Sequence, residues 1–447
     1  MTTPSSLPHL PLELFVAAPL GAPLAGEDSD GLVTRLAAGA SIEDAFAAVA
    51  PVLQVAGKEF APRSLEDFLP TDPTVEGLLT HGAFIELEAA WRGLDRLLKA
   101  VNVPGPWPRN VTLLSAPRGD LVGEATHYFG SRMEESASPQ LILVDRSFGA
   151  SPDDADELEA LCGWGRALSA LVIGQASPAM FGVTHAIHVP ALGDLDERMA
   201  SLKSARLQSL RSDDSSRWLT LVFNRWLTRD RHGATSTGGE EKQTPRKPET
   251  MPFGQSAWLA AERIVASYGA LGHAGAAPGF FEGALLQGLG RAKAPGASKD
   301  DPLVSSEVSL EDACATAMLR SGFSPLMERP EESVGAFASL ANFHRPGGPS
   351  LSTSCTASHQ LFAASATAMV RAALKAHGRA DEAELKAACL GWIDALGSGQ
   401  EAGDPSSDPD MDPVDCTLEG DLMNVRFQPA LTLEGHSPRL EFSIPVG

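Results

Sequence analysis

Two histidines three residues apart, His185 and His188, would share one helix face and could hold a metal ion between their imidazoles. No third ligand lies nearby, and a pair at this spacing is more often ordinary surface or core histidine, so no metal is expected. Asp408, Asp410, Asp412 and Glu419 stand at positions 1, 3, 5 and 12 of a calcium-loop spacing. Position 6 is Pro413, where the sharp turn needs glycine, and neither flank reads as a helix; the stretch is a solvated acidic loop. Asp213 and Asp214 could be acid/base carboxylates, but they lie in a charged turn, RSDDSSR, where pairing with neighbouring arginines is the simpler reading. The patterns GxSxG, SxxK and HExxH are absent, and Gly57-Lys58 lacks the upstream glycine and following Ser/Thr of a phosphate loop. The five cysteines (Cys162, Cys314, Cys355, Cys389, Cys416) are widely spaced, odd in number and form no CxxC. They read as reduced, mostly buried thiols of a cytoplasmic protein, with neither a zinc site nor a disulfide frame. The residue types therefore point away from an enzyme and from any cofactor.

Composition narrows the partners. With 57 acidic and 35 basic residues the formal charge is −22, which disfavours binding to nucleic acid or to an anionic membrane. At 447 residues, 43% hydrophobic and 21% charged, the chain can bury a large core and has ordinary globular composition. The apolar stretch LPHLPLELFVAAPLG lacks a basic n-region, since Arg35 is the first basic residue, and prolines interrupt it, so it is not read as a secretion signal. No segment reaches the length of an uncharged membrane span, and the expected location is the cytoplasm.

The elements that must position these residues alternate. Residues 10–18 read as a strand with Leu12, Leu14 and Val16 on one face. Ser41, three residues before Asp44, opens a short helix that Pro51 ends, and Val52, Leu53 and Val55 make another strand. Strands at 111–114, 141–144, 167–174 and 217–227 alternate with helical stretches, which argues for α/β layering around a mixed sheet. Residues 232–252 read as a mobile loop, 255–269 as an amphipathic helix, 310–345 as an αβ segment and 355–377 as an interior Ala-rich helix. An acidic linker at 397–413 precedes a terminal β region, 414–447, with alternating Val414, Cys416, Leu418, then Met423, Val425, Phe427, then Leu440, Phe442, Ile444, Val446.

The stretch 83–101, AFIELEAAWRGLDRLLKAV, places Phe84, Leu87, Trp91, Leu94, Leu98 and Val101 along one helical seam. By pattern alone this is a core-facing helix. Gly93 in its middle costs about 1 kcal/mol relative to alanine, which points to close approach of a neighbouring element.

The order of segments resembles the contractile sheath of bacterial type VI secretion systems. AFIELEAAWRGLDRLL is similar to the hallmark of the large, TssC/VipB-like subunit, and SPAMFG, RSDDSSRWLTLVFNRWL, FGQSAWLAAERIVASYG, EVSLEDACATAMLRSGFSPLMER and RLEFSIPV follow in that subunit's order. Upstream, LELFVAAPLGAPLAG, SIEDAFAAVAPVLQV and RSLEDFLP resemble a shortened small, TssB/VipA-like subunit. The resemblance implies a fusion: residues 1–75 as a small αβ unit, residues 76–447 as a mixed-sheet large-subunit region ending in antiparallel β structure. It implies a structural subunit that self-assembles into a helical polymer around an inner-tube protein, contacts baseplate components and drives ejection of the tube by contraction. A separate small sheath subunit is a further implied partner.

Only residues 71–82 separate RSLEDFLP from the large-subunit helix, leaving no room for the small subunit's linking half or for the helix that an AAA+ unfoldase grips in the family. The alternative reading is therefore a non-contractile, sheath-like adaptor or cap that binds sheath or baseplate. Trp91, Arg92, Gly93, Ser212, Asp214, Arg217, Trp218, Asp67 and Phe68 are the residues expected to bear on fold or assembly. The aromatics among them fit packing, and the charged Arg92, Asp214 and Arg217 fit contacts between subunits or domains.

Overall fold

The computed structural model describes residues 9–20, 82–132, 138–193, 195–201, 205–229, 251–293, 303–329, 334–346, 355–377, 382–397 and 412–445. The expected helix after Ser41, the strand at 52–55, the segment with Asp67 and Phe68, nearly all of the 232–252 loop and most of the acidic linker lie outside those residues.

A seven-stranded sheet forms the centre, in the order β11-β10-β5-β4-β3-β1-β2. Its strands are β1 (Leu12–Ala18), β2 (Arg109–Ser115), β3 (Leu141–Phe148), β4 (Leu171–Ala176), β5 (Leu219–Phe223), β10 (Phe323–Arg329) and β11 (Val334–Phe337). All neighbours pair in parallel except the antiparallel β10 and β11. Parallel pairing requires crossover helices, and they cover both faces, so the sheet is doubly wound. On one face lie α1 (Gly82–Asn102), α6 (Ala257–Leu271), α8 (Ala357–His377) and α9 (Glu382–Gly397), against Leu12, Leu14, Val16, Leu143 and Ile173. On the other lie α2 (Leu121–Arg132), α3 (Pro152–Leu168), α4 (Leu195–Ser201), α5 (Ala205–Ser212) and α7 (Asp312–Arg320), against Phe15, Ala17, Ile142, Val144 and Val172.

The mixed α/β architecture agrees with the sequence reading; several boundaries do not. β1 was read as placing Leu12, Leu14 and Val16 on one face; both of its faces are buried, because helix layers cover both sides of the sheet, while β2 and β3 pair with its two edges. The run 167–174 is divided: Leu168 ends α3, Ser169 turns through a left-handed φ of 54°, and β4 starts at Leu171. The run 217–227 is also divided, because Asn224 adopts φ 76° and ends β5 before the short β6 (Trp226–Leu227). Asparagine tolerates that conformation, and here its amide donates to Val308 O (2.8 Å) and Leu326 O (2.9 Å). Helix α9 went unread beside the acidic linker. β6 pairs with β7 (Phe253–Gly254), and β8 (Ala292–Lys293) with β9 (Leu303–Val304), as minor ribbons.

The terminal sheet is β12 (Val414–Glu419), β13 (Leu422–Phe427) and β14 (Leu440–Pro445), antiparallel and in that order. Val414, Cys416, Met423, Val425, Phe427 and Ile444 join the same core as α8 and α9. Leu418 departs from the expected alternation: its side chain is 44% exposed near the hairpin tip, while its N–H donates to Glu382 Oε1 of α9 at 2.6 Å.

Helix α1 packs on α6 along a face offset from the expected seam. Ile85, Ala89, Ala90, Leu94, Leu97 and Ala100 are buried, while Leu87, Trp91, Leu98 and Val101 are half-buried; of Phe84 only the backbone is described. The reason lies at Gly93, where a Cβ would sit 2.6 Å from Cδ2 and 2.7 Å from Cδ1 of Trp258. Small residues turn towards α6 to admit the indole, and the larger ones flank the contact. Arg96 clamps the same pair of helices, its Nε and Nη2 donating to Glu262 at 2.8 and 3.0 Å.

Helix propensity alone predicts that Gly93→Ala gains about 1 kcal/mol. The seated indole reverses the sign, and urea unfolding should show a loss of about 1–3 kcal/mol from overpacking. A second expectation concerns His273, buried after α6, whose pKa is pushed down from 6.5 to about 4 by desolvation. Below pH 6.5 the unfolded chain takes up a proton that the folded chain refuses until about pH 4, so this group's contribution is complete above pH 6.5 and is lost as pH falls to about 4. His273→Asn, which keeps an acceptor for the Gly275 N–H, should flatten the fall in unfolding free energy over that window by about 3 kcal/mol.

Candidate functional site

Trp91, Arg92 and Gly93 occupy three directions around α1. Gly93 faces α6. Trp91 Nε1 donates to Leu20 O at 2.9 Å and so ties the helix to the chain leaving β1. Arg92 pairs with Glu88 one turn earlier, Nε to Oε1 at 2.9 Å. Glu88 is only 3% exposed and also receives Arg229 Nε at 2.9 and 3.0 Å. A carboxylate this buried requires partnered charge, and two arginines from distant parts of the chain supply it. Arg92 thus lies in an internal network. The i,i+4 spacing of Glu88 and Arg92 was visible in sequence; Arg229, far along the chain, was not.

The turn after α5 gathers Ser212, Asp214, Arg217 and Trp218. Ser212 Oγ donates back to Gln208 O at 3.3 Å, and Arg217 Nε reaches Asp214 Oδ1 at 3.1 Å, the pairing expected for RSDDSSR. Asp213 caps the short 3-10 helix Asp214–Trp218, accepting from Ser215 Oγ and, at 2.8 Å, from Ser215 N. Those two bonds hold its carboxyl below the usual range. Trp218 is half-buried, its Cγ 3.2 Å from where a Cβ on Gly165 of α3 would lie. Asp67 and Phe68 lie outside the described residues.

The same turn holds a Ser-His-Asp arrangement that sequence reasoning missed, because its members lie far apart in the chain. Ser216 Oγ is 3.0 Å from His344 Nδ1, and His344 Nε2 is 3.7 Å from Asp214 Oδ1. The geometry is wrong for acyl transfer. Ser216 O–H donates to Asp213 O at 2.6 Å, and Nδ1, 2.9 Å from that carbonyl, donates there too, so it cannot accept the serine proton. Ser216 has 0% exposure. Burial, and then the nearby Arg217, hold His344 below its ordinary pKa. The trio fastens the turn to residues 342–346. There Arg345 donates to Leu319 O and Arg320 O, both at 2.7 Å, satisfying carbonyls at the C-terminus of α7.

Of the two patterns weighed for metal, Asp408 and Asp410 of the acidic loop lie outside the described residues. His185 and His188 are exposed, their rings 6.2 Å apart, and Asp412 is taken by Lys386 Nζ at 2.6 Å. Among the described residues no group of His, Cys, Asp and Glu could hold a metal ion. Four of the five cysteines are buried and Cys314 is half-buried.

One concave feature lies at the terminal sheet. A groove of about 440 Å³ runs between β14 (Phe442, Ser443, Ile444) and α8 (Thr367, Arg371, Leu374). β14 is an outer strand among the described residues, so one of its backbone edges lies beyond the ladder with β13. An outer strand beside a groove is the geometry that accepts an added strand.

Residues 136–344, which hold β3, β4, β5, β10 and β11 of this doubly wound sheet, match the VipB family, described as EvpB/VC_A0108, tail sheath N-terminal domain. The chain is 24% identical over 294 residues to the type VI secretion system sheath protein TssC1 of Pseudomonas aeruginosa, covering 60% of this chain and 58% of that protein. Over this stretch the chain is similar to TssC/VipB-like sheath proteins, and it spans 58% of that relative's length. The sheath tail protein DSY3957 of Desulfitobacterium hafniense overlaps 74% of this chain and 62% of its own, with a TM-score of 0.39 and 11% identity. The contracted helical sheath of the anti-feeding prophage overlaps 100% and 94%, with a TM-score of 0.38 and 9% identity. Both overlaps are too loose to define the fold on their own.

If the Ser216 trio is a fastening, a fluorophosphonate probe at neutral pH should leave Ser216 unlabelled in peptide mass spectrometry. Ser216→Ala should instead lower stability by about 1–2 kcal/mol; labelling of Ser216 would show a working nucleophile.

Proposed function

We propose that the chain is a structural subunit of a type VI secretion contractile sheath, assembling with copies of itself into a helical polymer around an inner-tube protein and meeting baseplate components at one end. The sheath-domain match over residues 136–344 carries this reading. The outer strand β14 and its groove support it, since strand addition at such an edge is one way for a subunit to accept a neighbour. Contraction is then a rigid-body change between two packings of linked subunits. The upstream small-subunit-like segment supplies β1, which supports the fusion reading, as that strand lies inside the large-subunit sheet. The work of such a subunit is mechanical, so it requires no active site. The cytoplasm is its proposed location; no helix among the described residues is long and apolar enough to cross a membrane.

Negative-stain electron microscopy of the chain expressed alone tests the proposal. Tubes or rings are expected, whereas a monomer at high concentration would replace the sheath by the adaptor or cap. Arg371→Glu in the groove should raise the concentration needed for assembly about tenfold or more, with an unchanged thermal midpoint.

A further inference from the structure

The terminal sheet holds one pair of reactive groups that neither the ion networks nor the groove uses. Cys389 on α9 and Cys416 on β12 are 0% and 6% exposed, in one core cluster, and their thiols meet where the two elements pack. The Cys389 S–H donated to Cys416 draws the Cys416 thiol below its ordinary pKa, with Lys386 assisting and burial, Asp415 and Glu382 opposing. The same bond, together with burial, pushes Cys389 up. A single buried thiol is ordinarily inert, but two in contact can complete a reaction that one cannot.

We propose that Cys389 and Cys416 form a reversible dithiol/disulfide pair, oxidised by a low-molecular-weight disulfide and reduced by a thiol, through which α9 is covalently clamped to the terminal sheet. Cys416 is the entry point, because it is the less buried of the two thiols and lies on an outer strand. Its thiolate attacks one sulfur of the reagent, whose S–S bond breaks and releases one thiolate, leaving a mixed disulfide on Cys416. Cys389 passes its proton to the released thiolate and attacks Cys416 Sγ, forming the intramolecular bond and expelling the second thiolate. The protein loses two protons and two electrons, and the reagent becomes two thiols. In reducing surroundings the pair stays as thiols, in keeping with a cytoplasmic chain. The inference rests on this pair and not on the sheath reading.

The full chain carrying Cys314→Ser, which removes the half-buried thiol, is incubated with glutathione disulfide near pH 8, blocked with N-ethylmaleimide and mapped by mass spectrometry. A linked 389–416 peptide pair is expected, reversed by dithiothreitol, with the melting midpoint of the oxidised chain raised by a few degrees. In Cys389→Ser, Cys416 should accumulate as the glutathione adduct. Recovery of both thiols as N-ethylmaleimide adducts, or a link that forms only in denaturant, would overturn the proposal.

Discussion

Everything on one face of the central sheet depends on the seat that α1 offers to Trp258. Gly93 leaves the gap, the indole fills it, and two helices far apart in sequence are brought within backbone reach. Arg96 and Glu262 fix their axial register, and Glu88 ties α1 to Arg229 just beyond the sheet. Shape, charge and hydrogen bonding therefore agree on one placement of α1, and Trp91 passes that placement on to the chain leaving β1. A close-packed interior tolerates no second arrangement with so large a ring displaced.

The terminal sheet is bound into the same core. Its inner residues touch α8 and α9, so it moves with the body while presenting β14 outward. A load applied along β14 would reach the central sheet through α8 and α9 and would have no flexible joint to cross within that core. This is the mechanical property that the proposed sheath role would demand of its subunit.

Much of this was legible in the residues. The α/β alternation, α1, α6, α8 and the terminal strands follow from apolar periodicity, which reports burial directly. The errors arose where single residues overrule periodicity. Ser169 and Asn224 adopt left-handed backbone inside apolar runs, so two runs read as strands are divided. The burial face of α1 was misjudged because alanine and glycine count little in a hydrophobic pattern, yet they face the core when a tryptophan comes from the other side. The Ser216 trio and the cysteine pair were unreadable for another reason: their members, on helices, a strand and a loop, meet only through tertiary packing, which is not written in local spacing. Arg92 and Arg217, expected with Asp214 to serve contacts between subunits or between domains, each pair with a carboxylate within their own domain, as the charged turn RSDDSSR had suggested for Arg217.

β1 lies between two strands that follow it in the chain, with both its faces covered. Without it, β2 and β3 would face each other across the width of an absent strand, and the sheet would be two fragments. A strand so placed could in principle be donated by a separate polypeptide, and its insertion would then depend on the donor's concentration. Covalent continuity from β1 to α1 makes insertion intramolecular. Every copy of the chain therefore carries one central strand for one sheet, and stoichiometry is settled at synthesis, before any assembly begins.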